Sequence, residues 1–148
     1  MQLLPLTRYS LISRDASART YSIHRLVQAV IRDRMGKEAQ SLWAERTVRA
    51  VNSAFPNVEF SNWHLCGRLI PHAMACAGSI RYWGFEFVEA ARLLNNAGYC
   101  QYERPLYAEA EPLYKRALEI FEKSLGEKHP TTVTVSENLA ALLREMRG

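Results

Sequence analysis

The chain has 148 residues, 48% of them hydrophobic and 23% charged, which is ordinary globular material and excludes global disorder. Its net charge of +4 is uneven: nine Lys/Arg against four Asp/Glu in residues 1–50, three of each in 51–100, and seven against eight in 101–148. No apolar run approaches the roughly 18 residues of a membrane span, and MQLLPLTRYS has neither the charged start nor the apolar core of a signal peptide.

In chain order, residues 8–25 have strand chemistry. Tyr9-Ser10-Leu11-Ile12 and Thr20-Tyr21-Ser22-Ile23 are rich in β-favouring residues and are separated by the polar link SRDASAR, which predicts a β-hairpin with a loose tip. From His24-Arg25 a helix is expected, with Leu26, Val27, Val30 and Ile31 on one side, Arg32, Asp33 and Arg34 towards solvent, and Gly36 as its stop. MQLLPLT is read as the tail of a preceding helix. A second helix runs from about Ala39 to Phe55, burying Leu42, Trp43, Val48, Val51 and Phe55, and Pro56 ends it.

The next helix, Trp63 to Ala77, carries Trp63, Cys66, Leu69, Ile70 and Ala73 on one face, with Pro71 expected to bend or break it. Gly78-Ser79 reads as a turn. A further helix from about Tyr82 to Tyr102 follows, then a turn at Pro105 and a helix carrying Leu113, Tyr114, Ala117, Leu118 and Phe121 on its buried stripe. Pro112 falls near the first turn of that helix, where a missing N–H costs little.

Two helices close tightly only where one side of the crossing gives up bulk, and Gly98 and Ala110 do so opposite Leu94, Tyr107 and Tyr114, with Ala117 a turn further on. A shift of 42 residues brings Asn96, Ala97 and Gly98 onto Asn138, Leu139 and Ala140, so ENLAALL restarts the pattern of NNAGYCQ. The order Leu, Gly, Tyr, Ala, Tyr, Ala resembles the tetratricopeptide (TPR) repeat, and AEAEPLYKRAL with LGEKHP resembles its longer kinesin-light-chain-type version.

The N-terminal part carries a second resemblance. YSLISRD followed by TYSIHRLVQAVIRDRM is similar to the winged-helix end of NB-ARC-type signalling ATPases of the STAND class, and ERTVRAVNSAF with the helix after it resembles the degenerate helical repeat that follows there. That resemblance implies a nucleotide-sensing role for His24, in a longer protein only. Arg25 stands where the family has an acid. The odd number and irregular spacing of Cys66, Cys76 and Cys100 fit a reducing compartment better than a disulfide framework, so a cytoplasmic setting is expected.

The expected architecture is mostly α: a winged-helix remnant (β-hairpin plus last helix) over 1–37, a degenerate helical repeat or linker over 38–80, and an α-solenoid TPR region over 81–148 with one full repeat and the first helix of the next. No GxxxxGK[ST], GxGxxG or HExxH is present, so neither an enzyme nor a cofactor is expected. His72 and Cys76, spaced i, i+4, permit a zinc site to be drawn, but neighbouring His64 and Cys66 point to different helix faces.

The function implied by the resemblance is a non-catalytic protein-interaction and regulatory region, coupling partner binding to a nucleotide-binding domain outside this chain. A freestanding TPR adaptor binding a peptide is the alternative. A winged-helix DNA-binding regulator, supported only by arginines such as Arg14 and Arg19, is a distant third. The TPR resemblance implies a concave peptide-binding face with Asn95, Asn96 and Gln101 as polar candidates, since an amide pairs with both N–H and C=O of a backbone. The apolar stripe Val135, Leu139, Leu142, Leu143 and Met146 predicts weak self-association through the C-terminal helix.

Overall fold

A computed structural model describes residues 11–148, which divide into two compact units at Ser41/Leu42. The described residues form a two-stranded hairpin and six α-helices. Tyr9, Ser10 and MQLLPLT lie outside them.

In the first unit, β1 (Ile12–Asp15) pairs antiparallel with β2 (Thr20–Ile23), in the register Ile12↔Ile23 to Asp15↔Thr20. The polar residues Ser13, Arg14 and Asp15, expected in the link, are therefore strand. Turn chemistry sets this: Asp15 Oδ1 accepts from Ser17 N (2.9 Å), Ala18 N (3.0 Å) and Ser17 Oγ (2.5 Å), and Arg19 closes the four-residue tip at φ 53°. These bonds hold the Asp15 carboxyl below the usual carboxylate range, the Ser17 hydroxyl contributing most. Helix α1 (Arg25–Arg34) follows, with Arg32 and Arg34 in its last turn, where cations suit the helix dipole. Gln40 Nε2 donates to Arg32 O and Met35 O, both at 2.9 Å, and so satisfies carbonyls at the end of α1. Leu26, Val30 and Ile31 are all more than half exposed.

Helix α2 (Lys37–Ala54) begins in the first unit and continues into the second, where Val48 and Asn52 are buried. Leu42 and Trp43, expected on its buried side, are exposed. A short 3-10 turn (Phe60–Asn62) leads into α3 (Trp63–Trp83), then come α4 (Val88–Tyr102), α5 (Tyr107–Leu125) and α6 (Pro130–Glu145).

Helix α3 corrects two expectations. It runs unbroken through the exposed Pro71 and through Gly78-Ser79. Its apolar face continues past the glycine through Cys76 to the fully buried Ile80, and that burial outweighs the roughly 1 kcal/mol that a helical glycine costs. The stop is Gly84 at φ 66°, where Phe85 N bonds Ile80 O at 3.0 Å, a left-handed cap that glycine adopts without strain. The expected boundary between residues 80 and 81 therefore falls inside a helix. Pro112 likewise lies inside α5, exposed, so the carbonyl it leaves unpaired is on an outer side.

In the second unit α4 packs most extensively on α5, then α5 on α6 and α3 on α4, giving a stack of helical hairpins. The core runs through Ile80, Leu93, Leu94, Tyr114, Ile120 and Leu142. Arg49 ties α2 to α4: it bonds Glu45 (2.9 Å) and Glu89 (2.6 Å) and stacks its guanidinium 4.2 Å from the Phe87 ring centroid.

Candidate interaction surface

The α4–α5 crossing is where size complementarity is tightest. A Cβ placed on Gly98 would lie 3.1 Å from Tyr114 Cδ1 and 3.2 Å from Cε1, so the bare backbone of α4 is the seat of that ring. Leu94, Ala110, Tyr114 and Ala117 are buried, and Tyr107 is half-buried, its ring 5.6 Å from Tyr102. Burial pushes the Tyr114 hydroxyl pKa upward.

Asn95 and Asn96 are half-buried on α4, and Asn95 meets the equally half-buried Asn138 of α6: Asn138 Nδ2 to Asn95 Oδ1 is 3.5 Å, Asn95 Nδ2 to Asn96 Oδ1 is 3.4 Å. These long bonds leave most of the amide hydrogen-bonding capacity of the three side chains available to a ligand. Asn138 was not among the sequence candidates, although the 42-residue shift onto Asn96 pointed to it.

Gln101 is a correction. Only 3% of it is exposed, its Nε2 donates to Glu109 Oε2 at 2.5 Å, and its Oε1 has no partner. It joins α4 to α5 instead of facing a groove, because the turn at Glu103–Pro105 folds the start of α5 back over the end of α4. Beside the N-terminus of α5, Leu106, Tyr107 and Met146 line an open groove of about 450 Å³.

His24 is exposed and caps α1: its Nδ1 accepts from Leu26 N at 3.2 Å, and its own N–H extends the hairpin by bonding Leu11 O at 2.8 Å. An accepting Nδ1 places the ring proton on Nε2. Arg25 beside it is exposed. His129 caps α6 in the same way, accepting from Thr131 N at 3.2 Å. Cys66, Cys76 and Cys100 are free and buried. Cys66 Sγ donates to Asn62 Oδ1 at 3.3 Å, and burial pushes the Cys76 thiol up to about 11. Among the described residues no three His, Cys, Asp or Glu side chains gather as metal ligands, and no helix is long and apolar enough to cross a membrane.

Residues 89–148 match the tetratricopeptide-repeat family model, and residues 3–51 match a domain of unknown function (DUF7779). The stacked helical hairpins and this match make residues 89–148 a TPR region of a mostly helical chain. Over 130 residues the chain is 32% identical to a nucleotide-binding leucine-rich repeat (NLR)-like protein of Hyaloscypha variabilis, a stretch covering 86% of this chain and 13% of that protein. The chain therefore carries a TPR region and, over most of its length, is similar to a small segment of an NLR-like protein. No solved structure matches.

Proposed function

We propose that the chain is the non-catalytic protein-interaction and regulatory region of a cytoplasmic NB-ARC/TPR signalling ATPase, with residues up to 37 as the end of a winged helix. The observation that carries this reading is the order of parts. A hairpin and helix precede a TPR region within one stretch similar to an NLR-like protein of which it spans only a small share. Partner binding on α4 and α6, where Asn95, Asn96 and Asn138 present amides to an extended backbone, is coupled to a nucleotide-binding domain elsewhere in the polypeptide. At the other end of the chain, His24 Nε2–H, left over once Nδ1 caps α1, donates to a nucleotide phosphate, with Arg25 adding positive charge.

The test separates capping from sensing in the longer polypeptide. An asparagine can still cap α1 but cannot supply Nε2, so His24→Asn leaves the melting curve unchanged and speeds ADP release by about tenfold or more, as the loss of a charge-assisted hydrogen bond requires. Unchanged ADP release reduces His24 to a cap. On the peptide side, Asn138→Ala lowers binding of extended peptides, screened on an array with the 148-residue chain, by about fivefold. Equal binding by the variant would remove the amide cluster from the recognition surface.

A further inference from the structure

Only two arginines of the chain, Arg14 and Arg19, have a serine or threonine three residues on, namely Ser17 and Ser22. An arginine at that spacing before a hydroxyl is what a basophilic protein kinase reads, because carboxylates beside its catalytic cleft pair with the guanidinium. The backbone separates the two serines. Ser22 lies within β2, opposite Ser13 in the ladder. Ser17 lies in the four-residue tip, outside the ladder, and is exposed. Exposed loop tips are where an enzyme can seize a folded chain, so Ser17 is offered without unzipping the strands and Ser22 is not.

The tip is also cheap to open and chemically poised. Among the residues of β1 and β2 only Ile12 is even partly buried, and a two-stranded hairpin without a buried face is marginally stable. Arg14 is exposed, its guanidinium 5.8 Å from the centroid of the Tyr21 ring across the ladder, a surface contact that an enzyme's carboxylates readily replace. The Ser17 hydroxyl helps to hold the turn. Its Oγ donates to Asp15 Oδ1 at 2.5 Å, and of the bonds to that carboxyl this one lowers its pKa most. Residues 14–19 carry two arginines against one aspartate, a net charge of +1.

We propose that Ser17 is a phosphorylation site for an arginine-directed serine/threonine protein kinase, and that phosphate there breaks the Asp15 turn and reverses the charge of the hairpin tip. In the transfer, Ser17 Oγ attacks the γ-phosphorus of magnesium ATP. The Oγ–P bond forms as the bond from that phosphorus to the β,γ-bridging oxygen breaks, ADP leaves, and the hydroxyl proton passes to the kinase's catalytic base. The ester has no O–H to donate, so Asp15 loses its closest partner and gains an anion in its place. Arg14 and Arg19, three and two residues away, are the cations of the tip that pair with the phosphate. With nearly two negative charges added at pH 7, the net charge of the tip falls from +1 to about −1.

The test uses the 148-residue chain, magnesium ATP and a calmodulin-dependent protein kinase, for which arginine three residues before the serine is the main requirement. One phosphoryl group per chain is expected, placed on Ser17 by peptide mass spectrometry. Arg14→Ala slows its incorporation by about tenfold or more, as loss of a charge-assisted pair with the kinase requires. Arg19→Gly suits the positive φ at that position and removes the arginine that precedes Ser22, and it changes the rate by less than about twofold. The opening of the turn is read by NMR titration of the Asp15 carboxyl, whose charged neighbours in the tip are Arg14 and Arg19. Its midpoint rises in Ser17→Ala, which loses the hydroxyl alone, and rises further, by about 1 on the pH scale, in the phosphorylated chain. No incorporation, modification chiefly at Ser22, or a rate indifferent to Arg14→Ala overturns the site. An Asp15 midpoint no higher in the phosphorylated chain than in Ser17→Ala overturns the breaking of the turn.

Discussion

Replacing Gly98 by alanine sets two effects of known sign against each other. Alanine in a helix interior gains about 1 kcal/mol over glycine from backbone entropy. The added Cβ, however, would sit 3.1–3.4 Å from three atoms of the Tyr114 ring, which is 1% exposed and has no room to retreat. Forcing a methyl group into such a contact costs about 1–3 kcal/mol. The net expectation is a loss of about 1 kcal/mol, equivalent to about 3 °C in Tm for a chain of this size. Gly78 is the internal control: it is also helical, but its Cβ would meet nothing within 4 Å, so Gly78→Ala is expected to stabilise by about 0.5–1 kcal/mol. Urea unfolding of the two variants, and of Gly98→Ala combined with Tyr114→Leu, measures the difference directly. In the double variant the ring is gone, so the Gly98→Ala penalty should vanish. If Gly98→Ala stabilises as much as Gly78→Ala, the tight seat for Tyr114 is refuted.

Three further outcomes are expected. Glu109→Arg leaves both polar ends of buried Gln101 unpaired and costs about 1–3 kcal/mol in urea unfolding, whereas Gln101→Leu, which removes an orphaned oxygen, is neutral or stabilising. His129→Ala loses the cap on α6 and lowers stability by about 1 kcal/mol, while His129→Asn keeps it, a difference that thermal melts followed by circular dichroism resolve. The Cys76 thiol, raised from 9.0 to about 11 in the folded chain, stays protonated there after the unfolded chain has begun to ionise. Its contribution is complete below pH about 9 and is lost as pH rises towards about 11, about 3 kcal/mol in all, and Cys76→Ala should flatten that part of the stability–pH curve.

What the sequence disclosed best was size complementarity. Gly98 opposite Tyr114, with Ala110 one turn earlier on the same helix as the ring, forms a pattern of volumes that is written in the residues themselves and needs no knowledge of the surroundings. The 42-residue spacing was legible for the same reason. Gly78 and Gly84 were harder to separate, because both are glycines six residues apart and only the burial of Ile80 decides that the helix passes the first and stops at the second. The end of β1, Ser13 to Asp15, was missed because its residues are polar and exposed; the side chain of Asp15 positions the turn, and apolar alternation plays no part. Gln101 looked like a surface amide since its partner, Glu109, lies across a turn whose closure no local pattern announces. Glu109 is itself exposed, as its charge suggests, yet it is not idle.

The uneven covering of the helices has a consequence for the order in which the stack comes apart. Helix α4 is clamped between α3 and α5, while α6 leans chiefly on α5. In an array whose stability is roughly a sum of neighbour terms, opening begins where neighbours are fewest. Backbone amides of α6 should therefore exchange with deuterium through brief detachment of that helix alone, and those around Leu94 and Gly98 only when the whole second unit opens.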